Sequence, residues 1–336
     1  MLAVRVKKKE AESVRKKLIQ EGILDKDRKI QKIDNHIEIP VTCKFGNYSY
    51  LNQNKPIHYH PRLSFKTLIN SLRKELDQED INNLSKGWEL IGDVLILKID
   101  NNIRVEKRQL IAKKFLDFMP KVKTVLNREG ILDLFRKPLT ELLLGTIHDT
   151  IHSENGCKFK IDPSKVMFCS GNIQERQRMA TISNQNEVVL DMFSGIGQFS
   201  VPLAKYSNPK KVLSIEKNHI AYKYLVDNVK LNDLTNVKPV LGDCTIESPK
   251  KYANRVIMGY LFNTIKFLPF ALTSLREGGI IHFHSIVHKS NFNTEKAEIK
   301  KFIEKLGYDL NKIDYQTIKS YSPFYYHIVY DIDISS

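Results

Sequence analysis

Residues 188–199 read VVLDMFSGIGQF, and this stretch decides the fold class. Its first residues, Val188–Leu190, form an apolar run typical of a buried strand. Gly195 and Gly197 follow at the point where such a strand turns tightly into a helix, and glycine lets the backbone approach a ligand closely there. The stretch therefore predicts a strand, a ligand-binding turn and a helix.

Four more short apolar runs follow along the chain, separated by segments with helical periodicity. They are Val212–Glu216, Val237–Leu241, Arg255–Met258 and Gly279–His284. Strands that alternate with helices predict a parallel, doubly wound α/β sheet, whose ligands bind at the carboxyl ends of its strands. We assign residues 166–336 to this Rossmann-like catalytic domain.

Two smaller domains are predicted upstream of the catalytic domain. Residues 1–50 show the order strand, helix, strand, which indicates a small α/β domain. Residues 62–165 mix helical and strand patterns, which indicates an α+β domain. The segment Tyr48–Arg62 is rich in Asn, Tyr, His and Pro, and we interpret it as a linker that ends at Pro61.

Three acidic residues stand at the ends of three successive predicted strands: Asp191, Glu216 and Asp243. Asp191 can bind the amino group of a bound amino acid, Glu216 the two ribose hydroxyls of an adenosine, and Asp243 the adenine amine. Each acid could instead be a helix N-cap or a solvated strand end, and for Asp191 or Asp243 alone that interpretation is equally good. Together they predict S-adenosylmethionine, whereas the lack of a third glycine after Gly197 disfavours NAD.

The charge balance favours a partner with a phosphate backbone. Lys and Arg outnumber Asp and Glu by 53 to 38, which gives a formal charge of +15, and 14 tyrosines and 16 phenylalanines lie among them. The alternative is a solvated basic surface with no such partner. Charge alone does not separate the two interpretations.

Cysteine and histidine spacing argues against a metal site. The four cysteines form no Cys-x-x-Cys pair, so we predict neither a zinc knuckle nor a disulfide framework, and a cytoplasmic location fits. His282, His284 and His288 have no evident carboxylate or cysteine partner, so we predict no metal. No run of about 18 apolar residues occurs, so we expect no membrane span.

Over nearly its whole length the chain resembles a tRNA-modifying family. This family contains the archaeal and eukaryotic guanine-N1 methyltransferases and the wybutosine-synthesising aminocarboxypropyl transferases. The segments that carry the resemblance are Val4–Glu10, Lys16–Leu18, Ile91–Lys98, Phe135–Arg136 and His152–Gly156. The resemblance implies a class I S-adenosylmethionine-dependent domain, with RNA contacts in residues 1–50 and 62–165.

Two segments resemble the aminocarboxypropyl branch more than the methyltransferases. Met167–Arg176 replaces the methyltransferases' Phe-Ser-Pro-Arg, and Met258–Tyr260 replaces their Asn-x-Pro loop. Gly259 in that loop opens room for a bulkier tricyclic base or a differently turned cofactor, or it only permits a tight turn. The resemblance thus implies transfer of the 3-amino-3-carboxypropyl group to C7 of 4-demethylwyosine, next to the anticodon of tRNA-Phe.

The same resemblance assigns roles to individual residues. Glu175 takes the proton released from the base, and Arg136 steadies the base or a neighbouring phosphate, although a solvated ion pair is the alternative for each. Gly259 and Tyr260 complete the reaction centre, and Arg176 binds the cofactor's carboxylate. The predicted cofactor-binding set is Cys169, Arg176, Asp191, Phe193, Gly195, Gly197, Glu216, Lys217, Asp243 and Cys244.

The sequence is also compatible with three other functions. A complete N-terminal domain favours methylation of guanine N1 at the same tRNA position. Methylation of C7 of the tricyclic base is a further possibility within the family. A non-catalytic RNA-binding protein that keeps the fold is the alternative from another class, because a fold alone does not establish a reaction.

Overall fold

The computed structural model describes residues 1–44, 46–57, 64–73, 75–133 and 135–335. The chain divides into two compact units, one formed by residues 1–82 and 110–120 and the other by residues 83–109 and 121–336. The predicted linker end at Pro61 and the predicted domain start at Arg62 lie outside the described residues. The predicted boundary at residue 166 falls within the second unit, and the division into three domains stays a prediction.

The first unit contains a four-stranded antiparallel sheet in the order β2-β3-β1-β4. Val4, Ile39 and Leu18 form its core, so the alternating strands and the helical segment predicted over residues 2–41 bury one face each. The elements are β1 (Leu2–Lys7), α1 (Ala11–Gln20), β2 (Gln31–Ile33), β3 (His36–Pro40), β4 (Tyr50–Asn52), α2 (Phe65–Leu72) and α3 (Gln78–Asn82). The helix α4 (Val105–Phe118) contains one of the three chain boundaries between the two units.

The second unit begins with a sheet in the order β5-β6-β7-β8, followed by a two-stranded hairpin. Its strands are β5 (Glu89–Ile91), β6 (Val94–Leu97), β7 (Thr124–Leu132), β8 (Lys137–Leu144), β9 (Thr150–Glu154) and β10 (Cys157–Ile161). Ile91, Phe159 and Phe168 share a buried cluster with Ile196 and Val201 of the following region. This packing fixes the hairpin and the segment after it against the glycine turn.

A seven-stranded sheet forms the rest of the second unit, in the order β13-β12-β11-β14-β15-β17-β16. Its strands are β11 (Val188–Asp191), β12 (Lys211–Glu216), β13 (Val237–Leu241), β14 (Ala253–Met258), β15 (Leu275–His288), β16 (Leu310–Ser322) and β17 (Tyr325–Ile334). The first five strands are parallel, which confirms the predicted doubly wound sheet. The strands β16 and β17 were not predicted from the sequence; β17 pairs antiparallel with both β16 and β15.

Helices cover both faces of the sheet, as a doubly wound fold requires. They are α5 (Ile173–Met179), α6 (Ser200–Tyr206), α7 (His219–Leu231), α8 (Cys244–Glu247), α9 (Leu268–Ser274) and α10 (Phe292–Lys305). Neighbouring residues of β11 point to opposite faces: Leu190 packs with Leu272 of α9, and Val189 packs with Leu203 of α6. Within the described residues, no helix has the length and apolar character needed to cross a membrane.

Candidate active site

The carboxyl ends of β11 to β14 open into a cavity of about 320 Å³. Strand ends of a parallel sheet share one edge, so side chains far apart in sequence meet there. Ten of the fourteen predicted site residues line this cavity. They are Arg136, Cys169, Phe193, Gly195, Glu216, Lys217, Asp243, Cys244, Gly259 and Tyr260.

The two glycines of the turn after β11 have different surroundings. Gly195 has φ +56°, and a Cβ there would meet nothing closer than Gln198 at 3.9 Å, so its backbone faces open space in the cavity. Gly197 has φ +93°, and a Cβ there would lie 2.8 Å from Val201 and 3.1 Å from Leu225. Gly197 therefore lets the turn pack against α6 and α7, and it does not line the cavity.

Glu216 holds the turn and faces the cavity at the end of β12. Its Oε2 accepts a hydrogen bond from Gly195 N at 2.7 Å, and its Oε1 accepts one from Asn218 N at 2.7 Å. Burial raises the pKa of this carboxyl group. Because a carboxylate has about four acceptor positions, two backbone donors leave room for two hydroxyl donors of a ligand.

Asp243 is both a helix cap and a cavity residue. Its Oδ1 accepts from the backbone N of Thr245 at 2.9 Å and caps α8, while Lys217 Nζ donates to its Oδ2 at 2.7 Å. The hydrogen bond from Lys217 is the main cause that lowers the pKa of Asp243 to about 2. Beside it, burial raises the pKa of the Cys244 thiol to about 12, so this thiol stays protonated near neutral pH.

Asp191 does not reach the cavity. It is completely buried, and its carboxylate accepts from Ser200 Oγ at 2.6 Å and from Phe193 N at 3.3 Å. Ser200 Oγ in turn accepts from Ser214 Oγ at 2.8 Å on β12. Burial raises the pKa of Asp191 to about 6. In this structure Asp191 ties the glycine turn to the start of α6.

Arg176 does not reach the cavity either. It is 1% exposed, and its Nε and Nη2 each donate to Glu154 at 2.6 Å. Its Nη1 donates to the carbonyl of Cys169 at 2.7 Å, and its guanidinium lies 4.5 Å from the Phe168 ring centre. The cation therefore fixes the backbone of Cys169, and it is Cys169 that lines the cavity.

Glu175 is the third predicted residue whose charged group lies behind the cavity. It is 1% exposed and accepts from Arg178 at 2.7 and 2.8 Å, and Arg178 also donates to Asp331 at 2.9 Å. Burial raises the pKa of Glu175. A carboxylate in this position does not contact a ligand in the cavity directly.

Aromatic side chains form one wall of the cavity. The rings of Phe193 and Tyr260 stack with centres 5.2 Å apart and an interplanar angle of 19°, and Phe267 meets Phe193 edge-on at 5.0 Å. Arg136 lies 5.5 Å from the ring centre of Phe262, which contacts Tyr260 edge-on. Planar rings beside a guanidinium suit an unstacked nucleobase.

Three residues that the sequence analysis did not single out belong to the site: Asn172, Gln198 and His327 all line the cavity. Asn172 Oδ1 and His327 Nδ1 are buried and have no hydrogen-bond partner among the described residues. Asn172 lies in the segment Met167–Arg176, which resembles the aminocarboxypropyl branch in sequence. His327 gave no such signal, because its strand was not predicted.

The histidines of β15 form hydrogen bonds with residues outside that strand. His282 does have a carboxylate partner, contrary to the sequence-based expectation: its Nδ1 lies 2.6 Å from Asp331 Oδ1, and its Nε2 lies 2.8 Å from Arg255 Nη1. Because its second partner is the cation Arg255, His282 belongs to a network of charged side chains and not to a metal site. In the part of the chain that the structure describes, no three His, Cys, Asp or Glu side chains are grouped to hold a metal ion.

Three family models match successive parts of the chain. Residues 3–49 match the tRNA methyltransferase 5 N-terminal domain, residues 68–150 the TYW2 N-terminal domain, and residues 150–315 the TRM5/TYW2 methyltransferase domain. The cavity and its aromatic wall lie almost wholly in residues matched by the last model.

Known proteins of both branches are similar to this chain. The tRNA(Phe) (4-demethylwyosine(37)-C(7)) aminocarboxypropyltransferase of Methanocaldococcus jannaschii is 44% identical over 73% of this chain and 96% of its own length. A crystal structure of M. jannaschii TYW2 in complex with AdoMet has a TM-score of 0.61, with 40% identity over 74% of this chain and 99% of that one. The crystal structure of Trm5b from Pyrococcus abyssi has a TM-score of 0.73, with 30% identity and full coverage of both chains.

Proposed function

Because this chain belongs to the TRM5/TYW2 methyltransferase family, we propose that it is a tRNA 4-demethylwyosine aminocarboxypropyltransferase. It transfers the 3-amino-3-carboxypropyl group of S-adenosylmethionine to C7 of 4-demethylwyosine at position 37 of tRNA(Phe). The observation that carries the proposal is the meeting of the two branch-specific segments in one cavity. Cys169 and Asn172 come from the first segment, and Gly259 and Tyr260 from the second.

The residues of the cavity fit S-adenosylmethionine. Bound there, it supplies an activated aminocarboxypropyl carbon and leaves as methylthioadenosine. Glu216 retains acceptor positions for the ribose hydroxyls, and Asp243 offers a charged acceptor for the adenine amine. The buried, unpartnered Oδ1 of Asn172 suits the ammonium group of the methionyl chain, because an orphaned buried acceptor costs about 1–3 kcal/mol until it is paired.

Asp191 and Arg176 act in this proposal as positioning residues. Asp191 holds the turn that presents Gly195, and Arg176 holds the Cys169 carbonyl. Their effect on the cofactor is indirect, since both side chains are buried outside the cavity. The ligand carboxylate contact assigned to Arg176 from the resemblance would need that cation to leave Glu154.

Phe193 and Tyr260 provide the surface for the tricyclic base. The base must leave the anticodon stack to reach the cavity, and stacking on aromatic rings compensates part of that cost. Arg136 stands at this wall with a charge that suits a flanking phosphate. The net charge of +15 suits tRNA as the partner that carries the base.

The test is a product analysis with two separately labelled cofactors. Purified protein is incubated with tRNA that bears 4-demethylwyosine and with S-adenosylmethionine labelled either in the methyl carbon or in the carboxypropyl carbons. Mass spectrometry of the nucleosides should show chain-carbon label and release of methylthioadenosine. Methyl label with release of adenosylhomocysteine would overturn the proposal.

The second candidate function is methyl transfer to guanine N1 at the same position. The similarity to Trm5b over the full chain favours it, as does the match of residues 3–49 to the methyltransferase N-terminal domain. The same assay with tRNA that carries unmodified guanine at position 37 decides between the two. Methyl label on that guanine would support this candidate.

Gly259→Ala should lower kcat/KM for tRNA by about 10- to 100-fold, the scale of a misplacement of about 1 Å at a reaction centre. A Cβ at this position would lie 2.9 Å from Phe199 Cε2 and 3.2 Å from its Cδ2, so the ring must move where the base binds. The matched control is Gly87→Ala, whose Cβ meets no atom within 4 Å. Equal kinetics for the two variants would contradict the role of Gly259.

Glu216→Gln should weaken S-adenosylmethionine binding by about 10- to 100-fold, because one hydrogen bond to a charged group contributes about 1.5–3 kcal/mol. The amide also replaces one of the two oxygens that accept from Gly195 N and Asn218 N with a donor. Titration calorimetry measures the Kd. The exposed acid Glu298 on α10 gives the control Glu298→Gln, which should bind as the wild type does.

A further inference from the structure

His327 is a buried, partly unpartnered histidine in the wall of the cavity. It stands on β17 and is 1% exposed, and its Nδ1 has no hydrogen-bond partner among the described residues. The His327 side chain forms part of the cavity lining, so its ring lies beside the space for a bound base, with Nδ1 buried in that wall. A buried nitrogen with a free lone pair beside a ligand site is suited to accept a proton.

The other nitrogen of His327 leads away from the cavity. Its Nε2 lies 2.9 Å from His284 Nδ1 on the neighbouring strand β15. The register pairs His327 with Ile286, so His284 is its diagonal neighbour on the same face of the sheet. The two rings therefore form a hydrogen-bonded pair that begins at the cavity.

Beyond this histidine pair lies Glu175. His284 Nε2 lies 3.8 Å from Glu175 Oε1, and this nitrogen also has no hydrogen-bond partner among the described residues. His284 and Glu175 are each 1% exposed. Three ionisable side chains thus run from the cavity wall to the carboxylate that the resemblance assigned as the base.

The surroundings favour an uncharged histidine pair at rest. Burial and the cations Lys319 and Arg136 lower the pKa of His327 to about 4. Burial lowers the pKa of His284 well below its usual range, with His327, His282 and Arg178 as further causes. Both rings are therefore neutral near pH 7, so each keeps one nitrogen lone pair and neither retains an added proton.

We propose that His327 takes the C7 proton of the base and that His284 passes a proton on to Glu175. The inference rests on the proposed function and deepens it, because it names the group that touches the base. His327 is then the catalytic residue, and His284 and Glu175 act through it. It also explains how a carboxylate behind the cavity wall takes part in the reaction.

The proton balance of the step is complete. The bond from C7 to the γ-carbon of the methionyl chain forms, the bond from that carbon to sulfur breaks, and methylthioadenosine leaves. C7 then loses its proton to His327 Nδ1, and the C–H electron pair restores the aromatic ring. His327 Nε2 gives its proton to His284 Nδ1, and His284 Nε2 gives its proton to Glu175.

The experiment is single-turnover product formation with tRNA in which C7 of 4-demethylwyosine carries hydrogen or deuterium. Wild-type enzyme should show no isotope effect, because proton removal is fast once the new bond has formed. His327→Gln should slow product formation by about 10²-fold or more, the usual contribution of general base catalysis, and should show a primary isotope effect. His284→Gln should show a smaller effect of the same kind.

Two further variants distinguish proton transfer by His327 from a purely structural role of this residue. His282→Gln alters a buried histidine on the same face of β15 that is bonded to Asp331, so it should show no isotope effect even if stability falls. His327→Ala should regain rate when imidazole is added. A wild-type rate for His327→Gln would overturn the proposal. So would slow His327 variants that show neither an isotope effect nor rescue by imidazole. In both cases the proposed function would stand. Methyl transfer by the wild type would overturn both.

Discussion

Arg176→Met should destabilise the second unit by about 3–5 kcal/mol, the usual cost of removing one partner of a buried ion pair. The variant leaves the Glu154 carboxylate, whose side chain is 8% exposed, without its main counter-charge. In the wild type, burial opposes ionisation of Glu154, but the hydrogen bonds from Arg176 and His152 outweigh it and lower the pKa to about 2. Urea unfolding at pH 7 measures the change.

The pH dependence gives the same prediction a second readout. A carboxyl group whose pKa is lower in the folded state stabilises the fold above its unfolded pKa and loses that contribution as the pH falls through its folded pKa. The difference between wild type and Arg176→Met should therefore shrink between about pH 4.5 and pH 2. A difference that stays constant over this window would show that the ion pair is not its source.

Two variants serve as controls for the ion pair. Arg176→Met combined with Glu154→Leu removes both charges and should recover most of the lost stability, since an apolar pair of similar size often replaces a buried ion pair without loss. Lys312→Met breaks an exposed pair with Asp314, both of which are mostly exposed, and should leave stability unchanged. A double variant as unstable as the single one would instead indicate a packing defect.

The sequence predicted the parallel part of the large sheet because most of its strands contain apolar runs that are buried on both faces. The strands β11 and β14 are almost entirely buried, so composition alone reveals them. The strand β16 is an edge strand with mostly exposed residues, and a strand with so little burial shows no clear apolar alternation. His327 stands on the neighbouring strand β17, which is largely buried but was not predicted either.

In the candidate site, the positions of strand ends could be predicted from the sequence, but the directions of side chains could not. Strand ends at Glu216 and Asp243 could be placed in one cavity, since all carboxyl ends of a parallel sheet share an edge. The direction of a side chain depends on its partners, which sequence spacing does not show. Arg176 turns to Glu154, 22 residues away, and Glu175 turns to Arg178, so both leave the cavity that their segment lines.

Glu175→Gln should lower the single-turnover rate by up to about 10²-fold, no more than His327→Gln does because Glu175 acts through His327, and leave S-adenosylmethionine affinity unchanged. The affinity is unaffected because the carboxylate lies outside the cavity. Gln retains a hydrogen bond to Arg178, which also keeps its partner Asp331 at 2.9 Å, so the fold should persist. Only the ability to hold the transferred proton is lost.

Glu187→Gln is the matched control for this loss. Glu187 also accepts two hydrogen bonds from one arginine, Arg255, at 2.8 and 2.9 Å, but it does not line the cavity or contact His284. If ion-pair loss alone slowed the enzyme, both variants should lose rate to a similar extent. A slow Glu175→Gln enzyme beside a Glu187→Gln enzyme of normal rate would therefore assign the effect to the proton path, whereas equal rates would remove Glu175 from the mechanism.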